Sequence, residues 1–205
     1  MKLFYFPNTC ALGIHVILEE IGKPFELESV DFRTGAQRKA PYITLNPKGK
    51  VPALLRDDGT LLTEFPAIAW YVARLNPQAR LLPEGIDGEA RVLELVDYLI
   101  STVHMRGFTR IFRASAFTPT TADEPAVKQT GRDVVVDGLK FVSHTLGAQA
   151  YLLGDYSIAD ATLFFLEHWA ADRVKIPLPD NIAAHYARMR ERPAVQRALA
   201  AEGLG

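Results

Sequence analysis

One change of pattern along the chain limits the folds open to it: short strands alternate with helices up to about residue 77, and helices alone follow. Lys2 to Phe6 reads as a strand, and Ile14, Ile17, Leu18 and Ile21 recur at i, i+3, i+4, i+7 on a helix beginning near Ala11. After the Gly22-Lys23-Pro24 break, Phe25 to Glu28 alternates apolar and charged residues, as a half-exposed strand does, which completes a β-α-β unit with a parallel pair. Ala53 to Arg56 and Thr60 to Thr63 flank Asp57-Asp58-Gly59, a short-hairpin signal that adds an antiparallel pair. Pro66 suits the first position of a helix that runs to about Leu75.

A sheet with one parallel pair and one antiparallel hairpin, closed by a helix, is an α/β thioredoxin-like topology, βαβαββα. It occupies residues 1–77, and the Pro- and Gly-containing stretch 78–87 reads as a linker. Residues 88–205 read as an all-α helical domain, with helices near 88–114, 124–147, 158–172, 180–190 and 193–202. The net charge of −1 gives no electrostatic pull towards nucleic acid or an anionic membrane. A single cysteine excludes an intrachain disulfide and suits a reducing cytosol. The first residues carry no signal-peptide pattern, and no apolar run approaches the ~20 residues that span a bilayer. These features predict a cytoplasmic protein whose partners are small molecules or proteins.

Three places carry residues suited to chemistry. Cys10, the lone cysteine, lies where the first strand passes into the first helix. Unpaired N–H groups and the positive end of the helix dipole favour thiolate there, although a lone Cys is more often a small buried hydrophobe. Val51-Pro52 precedes a predicted strand; a cis Pro52 would leave the Val51 backbone free to pair with an extended peptide, while base rates favour trans, cis being roughly 5–6% of X–Pro bonds. Glu64-Phe65 lies at a second strand-to-helix turn, where N–H groups suit an anion and Glu64 suits an ammonium. A ligand with α-amino and α-carboxylate groups matches that pair, although a plain surface glutamate at a helix start, favoured by the dipole alone, is the simpler account of Glu64 taken in isolation. Neither metal-ligand spacing nor a phosphate-cradling Gly-rich loop is present.

The order and spacing of four segments resemble the cytosolic glutathione transferases, most closely the bacterial beta class. They are Asn8-Thr9-Cys10-Ala11-Leu12, Asn46-Pro47-Lys48-Gly49-Lys50-Val51-Pro52-Ala53-Leu54, Leu62-Thr63-Glu64 with Ala67-Ile68, and Tyr156-Ser157-Ile158-Ala159-Asp160. The closing Glu191-Arg192-Pro193-Ala194-Val195 also matches. The resemblance implies a thioredoxin-like domain that binds glutathione as co-substrate, with no other cofactor, and a helical domain that builds the second-substrate pocket. It implies that Lys50, Val51, a cis Pro52, Glu64 and the N–H of Phe65 hold glutathione, with Cys10 against its sulfur. Ser157 and Asp160 would form a structural capping box worth roughly 0.5–2 kcal/mol. The expected partner is a small electrophilic or disulfide substrate, and the expected assembly a homodimer in which Asp97 or Ser101 reaches the neighbouring copy.

Two positions depart from the family pattern. Phe65 stands where many relatives have Ser, which removes a hydroxyl contact and keeps the backbone one. Beta-class members place an active-site His three residues before a Phe; His104 lies four before Phe108, and Met105 holds the expected slot. One position is about 100° of helix rotation, so either the helix absorbs the extra residue or His104 points elsewhere. His15 reads as a local packing or capping residue. Phe108, Phe112 and Trp169 are candidates for the second-substrate pocket, though aromatic residues on helices are more often core.

A thiol with an ordinary pKa is only a few per cent ionised at neutral pH, and lowering it by two units takes ~2.7 kcal/mol. Thr9, Cys10 and the N–H groups near Ala11 are the expected donors to the glutathione sulfur. The expected activity is transfer of glutathione to an electrophile. Two alternatives stay open: thiol–disulfide reduction through a Cys10 mixed disulfide, and non-catalytic binding of glutathione and apolar ligands.

Overall fold

The computed structural model describes residues 1–205. Strand β1 (Lys2–Tyr5) is central: it runs parallel to β2 (Glu26–Ser29) and antiparallel to β3 (Ala53–Leu55), which pairs antiparallel with β4 (Leu61–Thr63). The order is therefore β2-β1-β3-β4, with Leu3 opposite both Leu27 and Leu54. Leu3 and Phe4 are adjacent and point to opposite faces, yet both are buried, so both faces of the sheet are covered. Edge strand β2 lies one residue later than the alternation suggests and is exposed throughout, with Lys2 bridging Glu26 and Glu28.

Helix α1 (Ala11–Ile21) is buried from Ala11 to Leu18, a wider face than its apolar stripe alone covers. Gly22 ends it in the left-handed region, donating its N–H to Leu18 O at 3.2 Å. A short helix, α2 (Tyr42–Leu45), precedes β3. Helix α3 (Phe65–Leu75) follows β4 and buries Phe65, Ile68, Ala69, Val72 and Ala73. The chain from Met1 to Leu82 forms one compact unit that also includes Met189–Gly205. The terminal segment belongs with this unit because α9 (Pro193–Glu202) packs on α1. There Arg192 forks onto Glu20 at 2.6 and 3.0 Å, and Arg197 reaches Glu19 at 2.5 Å.

The second unit, Pro83–Arg188, is helical. Helix α4 (Gly85–Asp97) continues as a π-helix over Tyr98–Phe108 and a last turn, α5 (Thr109–Phe112). Helix α6 (Glu124–Leu146) lies against the π-helix at close range. A Cβ on Gly131 would stand 2.8 Å from Gly107 O, and one on Gly138 2.6 Å from Val103 Cγ2, so this approach admits only glycine. Helix α7 (Ile158–His168) is buried along its whole length, and the chain continues through a short π-helix (Trp169–Arg173) to α8 (Asp180–Arg190). The stretch read as one helix over 158–172 therefore changes winding after His168. No helix is long and apolar enough to cross a membrane.

The capping box at Ser157 and Asp160 is present, and Asp160 does more than cap. Its Oδ2 accepts from Ser157 N–H at 2.8 Å and Ser157 Oγ at 3.1 Å. Its Oδ1 accepts from Leu152 N–H at 2.8 Å and faces His185 Nε2 at 3.2 Å. His185 Nδ1 meets Glu167 Oε1 at 2.8 Å, which completes a buried Asp160–His185–Glu167 chain. Burial works against the charge of His185, but the two carboxylates outweigh it and raise its pKa to about 9.

Candidate active site

Cys10 occupies the N-cap of α1, with its own side chain outside the capping role. Its Sγ–H donates to the carbonyl of Val51 at 3.6 Å, across the Val51–Pro52 peptide, which is cis. The sequence thus brings together two of its marked features, and the isomer is the one the family resemblance implies. The residue is half-buried with its sulfur enclosed, and burial pushes the Cys10 thiol up to about 12. The N–H groups of Cys10 and Ala11 and the Lys50 ammonium pull the other way and lose. The expectation that a helix start favours thiolate is corrected here: desolvation of the sulfur exceeds the stabilisation from the helix end.

Thr9, expected as a donor to a ligand sulfur, is committed elsewhere. Its hydroxyl donates to Phe6 O at 2.8 Å and accepts from Ala11 N–H at 3.3 Å, which makes it the brace of the strand-to-helix turn. Asn8 enters that turn at φ 60°, and its N–H donates to Glu202 Oε2 at 3.0 Å. The other oxygen of Glu202 meets His15 Nδ1, also at 3.0 Å. His15 is therefore no local cap: it is fully buried, packs edge-on against Phe25, and ties α1 to the end of α9. No local sequence signal marks Glu202, because its partners lie 187 and 194 positions away. Glu202→Ala deprives a buried imidazole and a backbone N–H of their acceptor, and is expected to cost about 3 kcal/mol in urea unfolding.

Lys50 contributes its charge near the Cys10 sulfur, and its carbonyl is bound within the fold. Glu64 precedes α3 with φ 72° and ψ 123°, a strained backbone for a residue with a side chain. Its carboxylate holds the Lys48 ammonium at 2.6 Å, and Thr63 Oγ1 accepts from the same ammonium at 2.8 Å. An exposed carboxylate beside the N-terminus of an 11-residue helix thus already binds an ammonium. The Phe65 side chain points into the core, so this position offers ligands its backbone alone.

The remaining candidates gather in the helical unit. The helix through His104 is π-wound: Thr109 N–H reaches back five residues to His104 O, a wider turn that accommodates one extra residue. The ring of His104 lies 5.1 Å from Trp169, and that of Phe108 5.3 Å from it, so both meet one indole. Phe112 stacks on Phe108 at 5.8 Å and meets Trp169 at 5.2 Å. Phe108 and Trp169 are buried, and Phe112 is half-buried under the Arg173 guanidinium at 4.1 Å. No group of His, Cys, Asp and Glu side chains converges as a metal set.

Comparison with known proteins gives this arrangement its context. The glutathione S-transferase N-terminal domain family matches residues 9–75. Glutathione S-transferase GstA of Escherichia coli O157:H7 is 42% identical over 208 residues, covering all of both chains. A bacterial beta class glutathione S-transferase from Sphingomonas chungbukensis superposes with a TM-score of 0.84 at 34% identity, again over all of both chains. A sphingomonad glutathione S-transferase complexed with glutathione does so at 0.84 and 35%, with the same complete coverage. The chain belongs to the glutathione S-transferase family.

Proposed function

We propose that this glutathione transferase uses Cys10 as a neutral hydrogen-bond donor to the sulfur of bound glutathione, which it activates for attack on a small electrophile. The observation that carries this reading is the Cys10 thiol, whose pKa burial raises and whose proton goes to the Val51 carbonyl in the ligand-free protein; on binding, that proton turns from the carbonyl to the glutathione sulfur. Val51 would pair through its backbone with the cysteinyl unit, Glu64 with the γ-glutamyl ammonium in place of Lys48, and the N-terminus of α3 at Phe65 with the carboxylate. The N-terminal end of α1, the Lys50 charge and the Cys10 S–H together favour the ligand thiolate. His104, Phe108, Phe112 and Trp169 supply the aromatic surface for an apolar electrophile. The active assembly is a cytoplasmic homodimer, and sedimentation analysis tests the pairing.

A thiol held near pKa 12 is a poor nucleophile at neutral pH, which sets a Cys10 mixed disulfide second to a donor role. In the donor reading, Cys10→Ala raises the pKa of the bound glutathione thiol by about one unit, the scale of one lost hydrogen bond to an anion. Conjugation near neutral pH then falls by about tenfold and recovers at higher pH. Thiolate absorbance of bound glutathione against pH, with initial rates of conjugation, provides the measurement. An unchanged thiol pKa, with disulfide reduction alone abolished, would make Cys10 a redox thiol instead. Glutathione binding without turnover of either substrate type would leave a binding protein.

A further inference from the structure

Two side chains hold from behind the peptide that presents Val51. The carbonyl of Lys50 accepts from Tyr42 Oη at 2.5 Å and from Asn46 Nδ2 at 2.9 Å, and Asn46 Nδ2 also approaches Tyr42 Oη at 3.1 Å. Both residues are buried. Asn46 also closes the turn that follows it: Oδ1 accepts from Lys48 N–H at 3.2 Å and its carbonyl from Gly49 N–H at 2.9 Å. Gly49 takes φ +58°, and a Cβ there would lie 2.9 Å from Gln37 O, so the turn admits no other residue. The ring of Tyr42 lies 5.4 Å from that of Phe4, in a core cluster that includes Val51 and Ala53. The donors are thus rigid, and so is the carbonyl they hold.

A peptide unit is planar, so fixing the Lys50 C=O fixes the direction of the Val51 N–H. The next carbonyl, that of Val51, accepts the Cys10 thiol. We propose that Tyr42 and Asn46 are positioning residues: they set the Lys50–Val51 peptide plane, and through it the capture of an extended thiol peptide and the reactivity of Cys10. The ligand half of this rests on the function proposed above, and the Cys10 half does not.

Tyr42→Phe keeps the ring and removes one donor, and Asn46→Asp keeps the Lys48 contact and removes the other. Each is expected to raise KM for glutathione by about fivefold to tenfold, the scale of one hydrogen bond, with kcat and the KM of the electrophile unchanged. Each is also expected to speed alkylation of ligand-free Cys10 by iodoacetamide by about twofold to fivefold, since loosening the Val51 acceptor releases the thiol. The double variant falls short of the product of the single effects, because both donors serve one acceptor. A lowered unfolding midpoint with KM and alkylation rate both within twofold of the parent would make these residues merely structural and overturn the proposal. If the parent protein itself has no measurable affinity for glutathione, the proposed function fails, and the alkylation rates alone decide the positioning role. Should Tyr42→Phe not fold, Asn46→Asp decides by the same two readouts.

Discussion

Asp160→Ala is expected to leave little folded protein. The substitution strips the acceptor from two buried backbone N–H groups, those of Leu152 and Ser157, and from the Ser157 hydroxyl. It also leaves His185, protonated at neutral pH with a pKa of about 9, facing Glu167 alone. Removing one member of a buried ion pair costs about 3–5 kcal/mol, because the charge left behind stays desolvated. Whole domains are stable by only about 5–15 kcal/mol. Ser157→Ala removes a hydroxyl from the same box and should cost about 1 kcal/mol. Urea denaturation of the two variants separates a simple helix cap from the larger network. Equal losses would mean that the bridge from Asp160 to His185 contributes nothing.

The second large effect is on the chemistry of Cys10. With its pKa at about 12, the thiolate of ligand-free protein is about a thousandfold scarcer at neutral pH than that of an ordinary cysteine. A more basic thiolate is also a better nucleophile, with a Brønsted slope of about 0.4–0.5, which returns about twentyfold. Alkylation by iodoacetamide at pH 7 is therefore expected to run about fiftyfold slower than that of a free cysteine. The rate should rise tenfold per pH unit up to about pH 10 without a plateau. A plateau near pH 7 would show that the helix end, and not burial, governs the sulfur. The same shift has a sign for stability. A thiol pKa raised by folding contributes stability that is complete below the ordinary thiol pKa and is lost as pH rises towards about 12.

Much of this fold is legible in local pattern. The spacing of Ile14, Ile17 and Leu18, the Gly22 stop and the Asp57-Asp58-Gly59 turn each specify one element within a few residues, because periodicity and turn chemistry are local. The cap at Ser157 and Asp160 came from the family resemblance, and the structure contains it. Residue type and position at strand-to-helix turns and a strand entry marked Cys10, Val51-Pro52 and Glu64-Phe65, and the family resemblance joined them into one candidate site. What the pattern misjudged are balances between distant groups. The helix start at Cys10 argued for thiolate, but the surroundings of the sulfur, which include Val51, make it a protonated donor. Thr9 looked free to serve a ligand, yet Phe6 O takes its proton.

Most strands and helices, the turn residues and the residue types available to chemistry are legible locally, since they follow from interactions within one or two turns of chain. Tertiary structure alone decided three things. It set the protonation of Cys10, through burial; it recruited Glu202, from 194 positions beyond Asn8, to hold the turn before Cys10. It also chose the π-winding over Tyr98–Phe108. Each of these depends on which surfaces meet. Desolvation and long-range hydrogen bonds have no period along the chain, so no local pattern could carry them.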